Sequence, residues 1–272
     1  MTAESFGSLH RAIDRIGRLP GLRQWRARRF DRTFERPGPA HLFRGVYPSF
    51  EAAATAVPHG RAISYDNTAA ARLYVDDLRA GPHDYPAFFW LQRSFAEGML
   101  TLVDVGGSIG TKYFAYRRLA PLPDDLRWLV HDMSAVAQEG RRLAAESGTI
   151  GLSFTDRFAD ADGSELLYAS GSLQYLPCTL AELLGELERR PRRLVINTTA
   201  IHAERSYFTV NNIGASYCAY RVQARERFIG DLTACGYRLR DEWTNPGKRL
   251  DLPFEPDCSL DHYSGFCFDR SA

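Results

Sequence analysis

Residues 102–110 read LVDVGGSIG, a short apolar run that leads into a group of glycines. The apolar run predicts a buried strand, and the glycines allow the backbone to turn tightly and to approach a ligand closely. Free backbone amides at the start of the following helix favour a ligand with an anionic or carboxylate group. The stretch therefore predicts a nucleotide-type binding loop that contains Gly106, Gly107, Ser108 and Gly110.

Two classes of cofactor use such a loop, and Asp104 bears on the choice between them. A dinucleotide fingerprint is G-x-G-x-x-G, but Val105 stands at the first glycine position of that frame. The carboxylate of Asp104 suits the ammonium group of an amino-acid cofactor and repels a pyrophosphate. The loop thus favours S-adenosyl-L-methionine, with S-adenosyl-L-homocysteine as product, over NAD. A plain strand-to-helix turn is the alternative.

Further cofactor contacts are predicted where the next strands end. Asp132 follows Gly110 by 22 residues (132 − 110), and an acid at this point binds ribose hydroxyls in either cofactor class. Asp156 is placed to meet the adenine amino group. The predicted cofactor site also includes Met133, Arg157 and Ser170. The alternatives are a helix N-terminal charge for Asp132 and a solvated loop acid for Asp156.

Strands alternate with helices from residue 100 onwards, which predicts a mostly parallel sheet covered on both faces. The predicted strands are 100–105, 126–131, 150–155, 165–169, 193–198, 237–243 and 263–268. The predicted helices within this region are 112–119, 134–147, 180–189 and 224–235. The fold class is α/β, with a seven-stranded, mostly parallel sheet.

The remaining residues predict an N-terminal helical extension or lid over 1–99 and a binding domain over 100–272. Helices are expected at 5–34, 69–78 and 88–99, with a loop at 65–67. The first helix is rich in Arg, which predicts a solvated amphipathic helix; contact with a membrane surface or an anionic substrate is the alternative. The segment 203–222 lacks a helical period and is rich in aromatic and amide groups, so we expect a substrate-binding cap there.

Composition and charge bear on which other classes of protein this chain could belong to. The formal net charge of +1 argues against a nucleic-acid-binding protein. Neither a membrane-spanning apolar run nor a signal-peptide core occurs, so stable membrane insertion and secretion are not expected. The five cysteines are scattered, which is typical of reduced cysteines in a cytoplasmic protein. No metal-ligand spacing is evident, and a homo-oligomer is compatible with the sequence.

Three motifs, in this order, resemble a family of bacterial methyltransferases: DVGGSIG at 104–110, WLVHD at 128–132 and SGSLQY at 170–175. The resemblance covers about residues 65–268. It implies a class I methyltransferase fold, which is Rossmann-like, and the use of S-adenosylmethionine. Family members are often associated with cell-surface polysaccharide genes. The family pattern leads us to expect Glu where this chain has Asp132, whose shorter side chain still reaches a ribose.

The reacting groups are expected after the fourth and fifth strands, because ligands lie beyond the carboxyl ends of parallel strands. Transfer of a methyl group to a hydroxyl needs a base, and His202 is the first candidate, with His262 as a second. Tyr175 is expected to orient the substrate or close the cofactor pocket. The predicted substrate contacts in the cap are Tyr207, Tyr217, Tyr220 and Arg221.

The sequence predicts an S-adenosylmethionine-dependent methyltransferase that acts on oxygen of a sugar, a glycan precursor or another small molecule. Two alternatives stay open: an NAD(P)-dependent oxidoreductase, and a non-catalytic subunit that binds S-adenosylmethionine and serves in an interaction.

Overall fold

The computed structural model describes residues 20–36, 40–58, 79–214 and 216–271, and these form two sheets with flanking helices. The strands are β1 (Ala40–Tyr47), β2 (Thr101–Val105), β3 (Arg127–His131), β4 (Leu152–Thr155), β5 (Leu166–Ser170), β6 (Arg193–Thr199), β7 (Ile201–His202), β8 (Tyr207–Ile213), β9 (Tyr217–Ala224), β10 (Tyr237–Asn245) and β11 (Tyr263–Arg270). The helices are α1 (Pro20–Phe34), α2 (Phe50–Thr55), α3 (Tyr85–Ala96), α4 (Thr111–Tyr116), α5 (Ser134–Glu146), α6 (Leu180–Gly185) and α7 (Arg225–Ala234).

The central sheet has seven strands in the order β10-β11-β6-β5-β2-β3-β4. Numbered from β2, its consecutive parallel strands follow the doubly wound order 3-2-1-4-5. β11 is antiparallel to both of its neighbours, β6 and β10. The predicted class I methyltransferase fold, Rossmann-like with a mostly parallel seven-stranded sheet, is confirmed by this arrangement.

Helices pack on both faces of the central sheet. Because successive side chains of a strand point to opposite faces, each strand contributes to both cores. In β2, Leu102 packs into the core formed with α3, α4 and α5, whereas Val103 packs into the core formed with α6 and α7. Trp90 and Leu91 of α3 share the first core. The predicted domain boundary at residue 100 therefore divides a continuous core.

The second sheet, in the order β1-β8-β9-β7, was not expected from the sequence. β1 lies within the predicted helical extension, and β8 and β9 form an antiparallel hairpin in the predicted cap. The extension is therefore not purely helical. Helices α1 and α2 cover this sheet, with Phe34 and Ala53 packed near Val210 and Tyr217. The pairing of Phe43 with Asn211 joins segments too far apart in the chain for local patterning to reveal it.

The helices differ from the predictions mainly at their ends. α1 begins at Pro20, where a proline suits the first helical position. α6 begins at a Thr179–Glu182 capping box but ends at Gly185 rather than at residue 189. The predictions for 5–19, for the loop 65–67 and for the helix 69–78 lie outside the described residues. Of the helices described, none combines the length and apolar character that crossing a membrane requires.

Candidate active site

A cavity of about 490 Å³ lies where β2, β3, β5 and β6 end, and the second sheet contributes one wall through α2 and β9. This volume falls within the usual range for small-molecule sites. We call the part formed by Gly106, Ser108, Asp132, Met133 and Ser170 the loop end. We call the part formed by Arg79, His83, Lys112 and Lys248 the basic end.

The glycines of the loop are required by its close packing. Gly106 has φ +69°, and a Cβ on it would lie 2.3 Å from the Cβ of Ser172. A Cβ on Gly107 would lie 2.4 Å from Oδ2 of Asp104. Gly110, at φ +85°, precedes α4 and does not line the cavity. The loop therefore lies directly on the neighbouring strand ends, with its outer side open to the cavity.

Asp104 supports this loop from beneath and does not line the cavity. Its carboxylate is buried and accepts a hydrogen bond of 3.1 Å from the indole nitrogen of Trp128. Burial raises the pKa of Asp104 to about 7, an effect that the indole N–H partly opposes. The predicted contact between Asp104 and a cofactor ammonium group is not part of this geometry.

Asp132 does line the cavity, and its carboxylate lies across the loop. Oδ2 accepts a hydrogen bond of 2.8 Å from the backbone N–H of Ser108, and Oδ1 accepts one of 2.8 Å from that of Met133. Each carboxylate oxygen can accept more than one hydrogen bond. Asp132 can therefore fix the loop and still accept a hydrogen bond from a ribose hydroxyl, a contact that stays a prediction.

The remaining predicted cofactor residues divide into two groups. Met133 and Ser170 line the cavity. Asp156 and Arg157 are exposed and are not among its lining residues. Asp156 accepts a hydrogen bond from the hydroxyl of Ser134, and this bond lowers its pKa. Asp156 therefore binds the side chain of Ser134, the first residue of α5, and does not line the cavity.

The two predicted reacting residues have different positions. Tyr175 lines the cavity, where its hydroxyl donates to Oδ1 of Asn211 at 3.1 Å and its ring packs edge-on against Tyr220. His202 does not line the cavity. Its Nδ1 accepts from the backbone N–H groups of Glu204 and Arg205, both at 3.0 Å, which leaves Nε2 to donate to the carbonyl of Asp257. Both ring nitrogens of His202 are thus engaged in holding a loop, and neither is placed to act as a base in the cavity.

The predicted substrate contacts in the cap are packing residues rather than cavity residues. Tyr217 donates to the carbonyl of Phe34 at 2.9 Å, and Tyr220 is hydrogen-bonded to the hydroxyl of Tyr263 at 2.7 Å. Tyr207 donates to the carbonyl of Cys258. The guanidinium of Arg221 donates to the carbonyl of Pro177 and lies over a phenylalanine ring. The cap reaches the cavity instead through Cys218 and Ala219 of β9.

A buried carboxylate at the basic end was not recognised in the sequence. The Asp84 side chain is 1% exposed, and its Oδ1 pairs with Nζ of Lys112 at 2.6 Å. Its Oδ2 accepts from the backbone N–H of Gly81 at 2.9 Å and lies 3.7 Å from Nε2 of His83. Asn197, from the end of β6, lies 3.5 Å from Oδ1. One carboxylate thus holds together three segments that are distant in the chain.

His83 is a histidine that lines the cavity, with 32% of its side chain exposed. Partial burial lowers its pKa, and the charges of Lys112 and Lys248 act in the same direction against the opposing effect of Asp84. The ring is therefore neutral near pH 7 and able to accept a proton. The only local signal was the polar turn Pro82-His83-Asp84 before a helix, which is a common feature of helix starts.

No family model matches the chain, and no curated protein matches it. Among solved structures, 1,6-didemethyltoxoflavin-N1-methyltransferase from Burkholderia thailandensis, with bound S-adenosylhomocysteine, is similar over 70% of this chain and 79% of that chain, at 19% identity and a TM-score of 0.46. Magnesium protoporphyrin IX methyltransferase from Synechocystis, also with bound S-adenosylhomocysteine, is similar over 76% and 96%, at 13% identity and a TM-score of 0.49.

Proposed function

We propose that this chain is an S-adenosylmethionine-dependent methyltransferase. The observation that carries the proposal is the position of Asp132 across the glycine loop. Its carboxylate occupies the backbone N–H of Ser108, and Gly106 N–H donates to the carbonyl of His131 at 2.8 Å. These amides are therefore not offered to a pyrophosphate, which favours a nucleoside cofactor that lacks one, such as S-adenosylmethionine.

The loop end has the features that this cofactor needs. Gly106 and Gly107 allow the loop backbone to lie directly on Ser172 and Asp104, where a Cβ would collide. Asp132 supplies oxygens for the ribose hydroxyls, and Met133 and Ser170 provide adjoining cavity surface. The bound cofactor would supply an electrophilic methyl group on a positively charged sulfur. The protein then has to hold the acceptor in line with that methyl group and exclude water.

We infer that His83 takes the role that the sequence analysis gave to His202. In transfer to a hydroxyl, the acceptor oxygen forms a bond to the methyl carbon, the sulfur–carbon bond breaks, and the hydroxyl proton passes to a base. His83 lines the cavity, has a lowered pKa and stands beside a buried carboxylate. A base placed in this way contributes about 10²–10⁴-fold to a rate.

The acceptor we propose is a small molecule, and a sugar or glycan precursor is the class suggested by the family resemblance. The size of the cavity fits a nucleoside cofactor with a small acceptor. Tyr175, Phe50 and Ala219 offer it apolar surface.

The test is methyl transfer from labelled S-adenosylmethionine to a mixture of hydroxyl-bearing sugars, sugar phosphates and phenols, measured as label in product and as S-adenosylhomocysteine formed. We expect transfer that requires both the enzyme and the acceptor mixture. Tight binding of the cofactor without transfer to any acceptor would favour the non-catalytic alternative. Reduction of NAD or NADP with an alcohol substrate would favour the oxidoreductase.

A further inference from the structure

We propose that Lys248, beside the Lys112–Asp84 ion pair, forms a subsite that binds an anionic group, a carboxylate or a phosphate, on the methyl acceptor. This inference rests on the proposed function only in assigning the anion to an acceptor. It concerns the basic end of the cavity, to which the sequence analysis assigned no role.

Lys248 is held in place by a turn that is tied to the central sheet. The four residues Asn245–Lys248 form a turn closed by a 3.2 Å hydrogen bond from the N–H of Lys248 to the carbonyl of Asn245. Pro246 at the second position of the turn restricts its backbone. The buried side chain of Asn245 donates to Asn197 at 3.1 Å and to the hydroxyl of Thr198 at 3.4 Å. Lys248 therefore extends into the cavity from a fixed base.

The backbone of β6 is also unusual at this point. Thr198 lines the cavity with φ +53°, a conformation that a β-branched residue rarely adopts. The pairing of β6 with β11 changes register in the same place, between Ser264 and Phe266. Strained residues and bulges of this kind are concentrated at functional sites. The strand end is thus shaped to meet the Lys248 turn.

The charges at the basic end do not balance among the described residues. Asp84 is already engaged by Lys112, by the backbone N–H of Gly81 and by His83. Lys248 makes no hydrogen bond or ion pair through its ammonium group with any residue that the structure describes. Lys248 is an exposed residue that lines the cavity. Partial burial, and then the charge of Lys112, lower its pKa. An anion placed here would meet a cation that has no partner among the described residues.

The position of Lys248 associates it with the acceptor rather than with the cofactor. It follows the edge strand β10, and four strands separate β10 from β3, after which Asp132 comes directly. Burial, followed by the charge of Lys248, lowers the pKa of His41 in β1, so Lys248 lies beside the second sheet. That sheet and α2 supply the apolar wall at Phe50, Ala54 and Ala219. The site thus fits an acceptor with an apolar body and one anionic substituent.

The test compares matched probes that differ in charge: 4-hydroxybenzoate with 4-hydroxybenzamide, and glucose 1-phosphate with methyl glucoside. Their affinities are measured by calorimetry in the full-length protein saturated with S-adenosylhomocysteine, and again without it. We expect wild type to prefer at least one anion over its neutral partner. Lys248→Met should weaken that anion about tenfold or more, the usual effect of losing a charged hydrogen bond, and should leave the neutral probes unchanged. Arg249→Met is the matched control, because Arg249 is a neighbouring exposed cation that pairs with Asp251 and does not line the cavity.

A second arm distinguishes the acceptor anion from the carboxylate of the cofactor. S-Adenosylhomocysteine and 5′-methylthioadenosine, which lacks the amino-acid carboxylate, are titrated into wild type and Lys248→Met. We expect the substitution to affect both equally little. A loss confined to S-adenosylhomocysteine would assign Lys248 to the cofactor and overturn the proposal. A wild type that prefers neither anion, or an anion affinity unchanged in Lys248→Met, would also overturn it. If anion binding depends on Lys248 but neither nucleoside binds, the proposed function fails while the anion subsite stands.

Discussion

The loop end of the cavity and the basic end differ in how their residues are brought together. Gly106, Ser108 and Asp132 belong to two adjacent parallel strands and the turns that follow them. The basic end joins His83, Lys112 and Lys248, from three segments, around the buried carboxylate of Asp84. The first end is formed by neighbouring elements of one sheet, and the second by segments that are distant in the chain. Under the proposed function, the loop end would bind the cofactor and the basic end would bind and activate the acceptor.

The largest effect is expected from His83. His83→Asn should lower methyl transfer by about 10²–10⁴-fold, measured with labelled S-adenosylmethionine and the acceptor mixture, without a change in S-adenosylhomocysteine affinity. His202→Asn is the control, because an asparagine oxygen can replace Nδ1 as the acceptor for Glu204 and Arg205. We expect it to keep its activity.

The pH dependence of the rate provides a second readout for His83. The reactive form of the ring is neutral, so the rate should fall as the pH decreases through the pKa of His83, which lies below 6.5. Removal of the charge of Lys248 should raise that pKa and move the acid limb to higher pH. Equal activity losses in the His83 and His202 variants, or an acid limb that does not respond to Lys248→Met, would contradict the assignment.

At the loop end, Gly106→Ala should lower the affinity for S-adenosylhomocysteine by about 100-fold or more. The added Cβ would lie 2.3 Å from the Cβ of Ser172 and must displace the loop, at a cost of several kcal/mol. Gly98→Ala is the matched control: Gly98 also has a positive φ, +83°, but a Cβ there meets nothing within 4 Å. It should cost about 1 kcal/mol of stability and leave binding unchanged. Calorimetry and thermal unfolding separate the two effects. Normal affinity in Gly106→Ala would show that the loop does not contact the cofactor.

Asp132→Asn should lower the affinity for S-adenosylhomocysteine by about tenfold, because the amide lacks the negative charge and one accepting oxygen. The control is a variant of the acid that follows the next strand, β4. Asp156→Asn removes an exposed acid that lies outside the cavity lining and pairs with Ser134. Its affinity should stay within about twofold of wild type, as expected for a surface change. A larger loss in Asp156→Asn than in Asp132→Asn would restore Asp156 as a cofactor contact and would contradict the geometry described above.

Asp104 should affect stability more than binding. Its pKa is about 7 in the folded protein and near 3.9 in an unfolded chain. Between these values the folded state holds a proton that the unfolded state has released, so wild type loses stability as the pH rises from about 4 to about 7. The slope is at most about 1.4 kcal/mol per pH unit. Asp104→Asn lacks this loss. Its free energy of unfolding in denaturant, relative to that of wild type, should therefore be higher at pH 8 than at pH 5. A constant difference between the two proteins would contradict the raised pKa.

The two ends of the cavity also show why the sequence predicted one part and not the other. Leu102–Val105 and the following glycines are a local pattern whose geometry follows from one strand and one turn. The period of the later strands then gave the central sheet and placed Asp132 at the cavity. Asp156 does not line the cavity, because the residue after a strand can point to the cavity or, as here, to the start of a neighbouring helix, and spacing does not distinguish these positions.

The second sheet and the basic end depend on contacts between distant segments. Pairing of β1 with β8 joins residues such as Phe43 and Asn211, and neither strand has the strict alternation that would mark it alone. His202 was a reasonable candidate by its place after β6, but the chain turns there into β7 and away from the cavity. His83 precedes the whole central sheet in the chain, and only folding brings it to the carboxyl ends of the strands.

Titration of the wild-type protein with S-adenosylmethionine, S-adenosylhomocysteine, NAD and NADP by calorimetry tests the central claim most directly. We predict binding of the two sulfur compounds near micromolar affinity, about −8 kcal/mol, and no binding of NAD or NADP. Binding of NAD or NADP, with no signal from the two sulfur compounds, would contradict the claim that this chain is an S-adenosylmethionine-dependent methyltransferase.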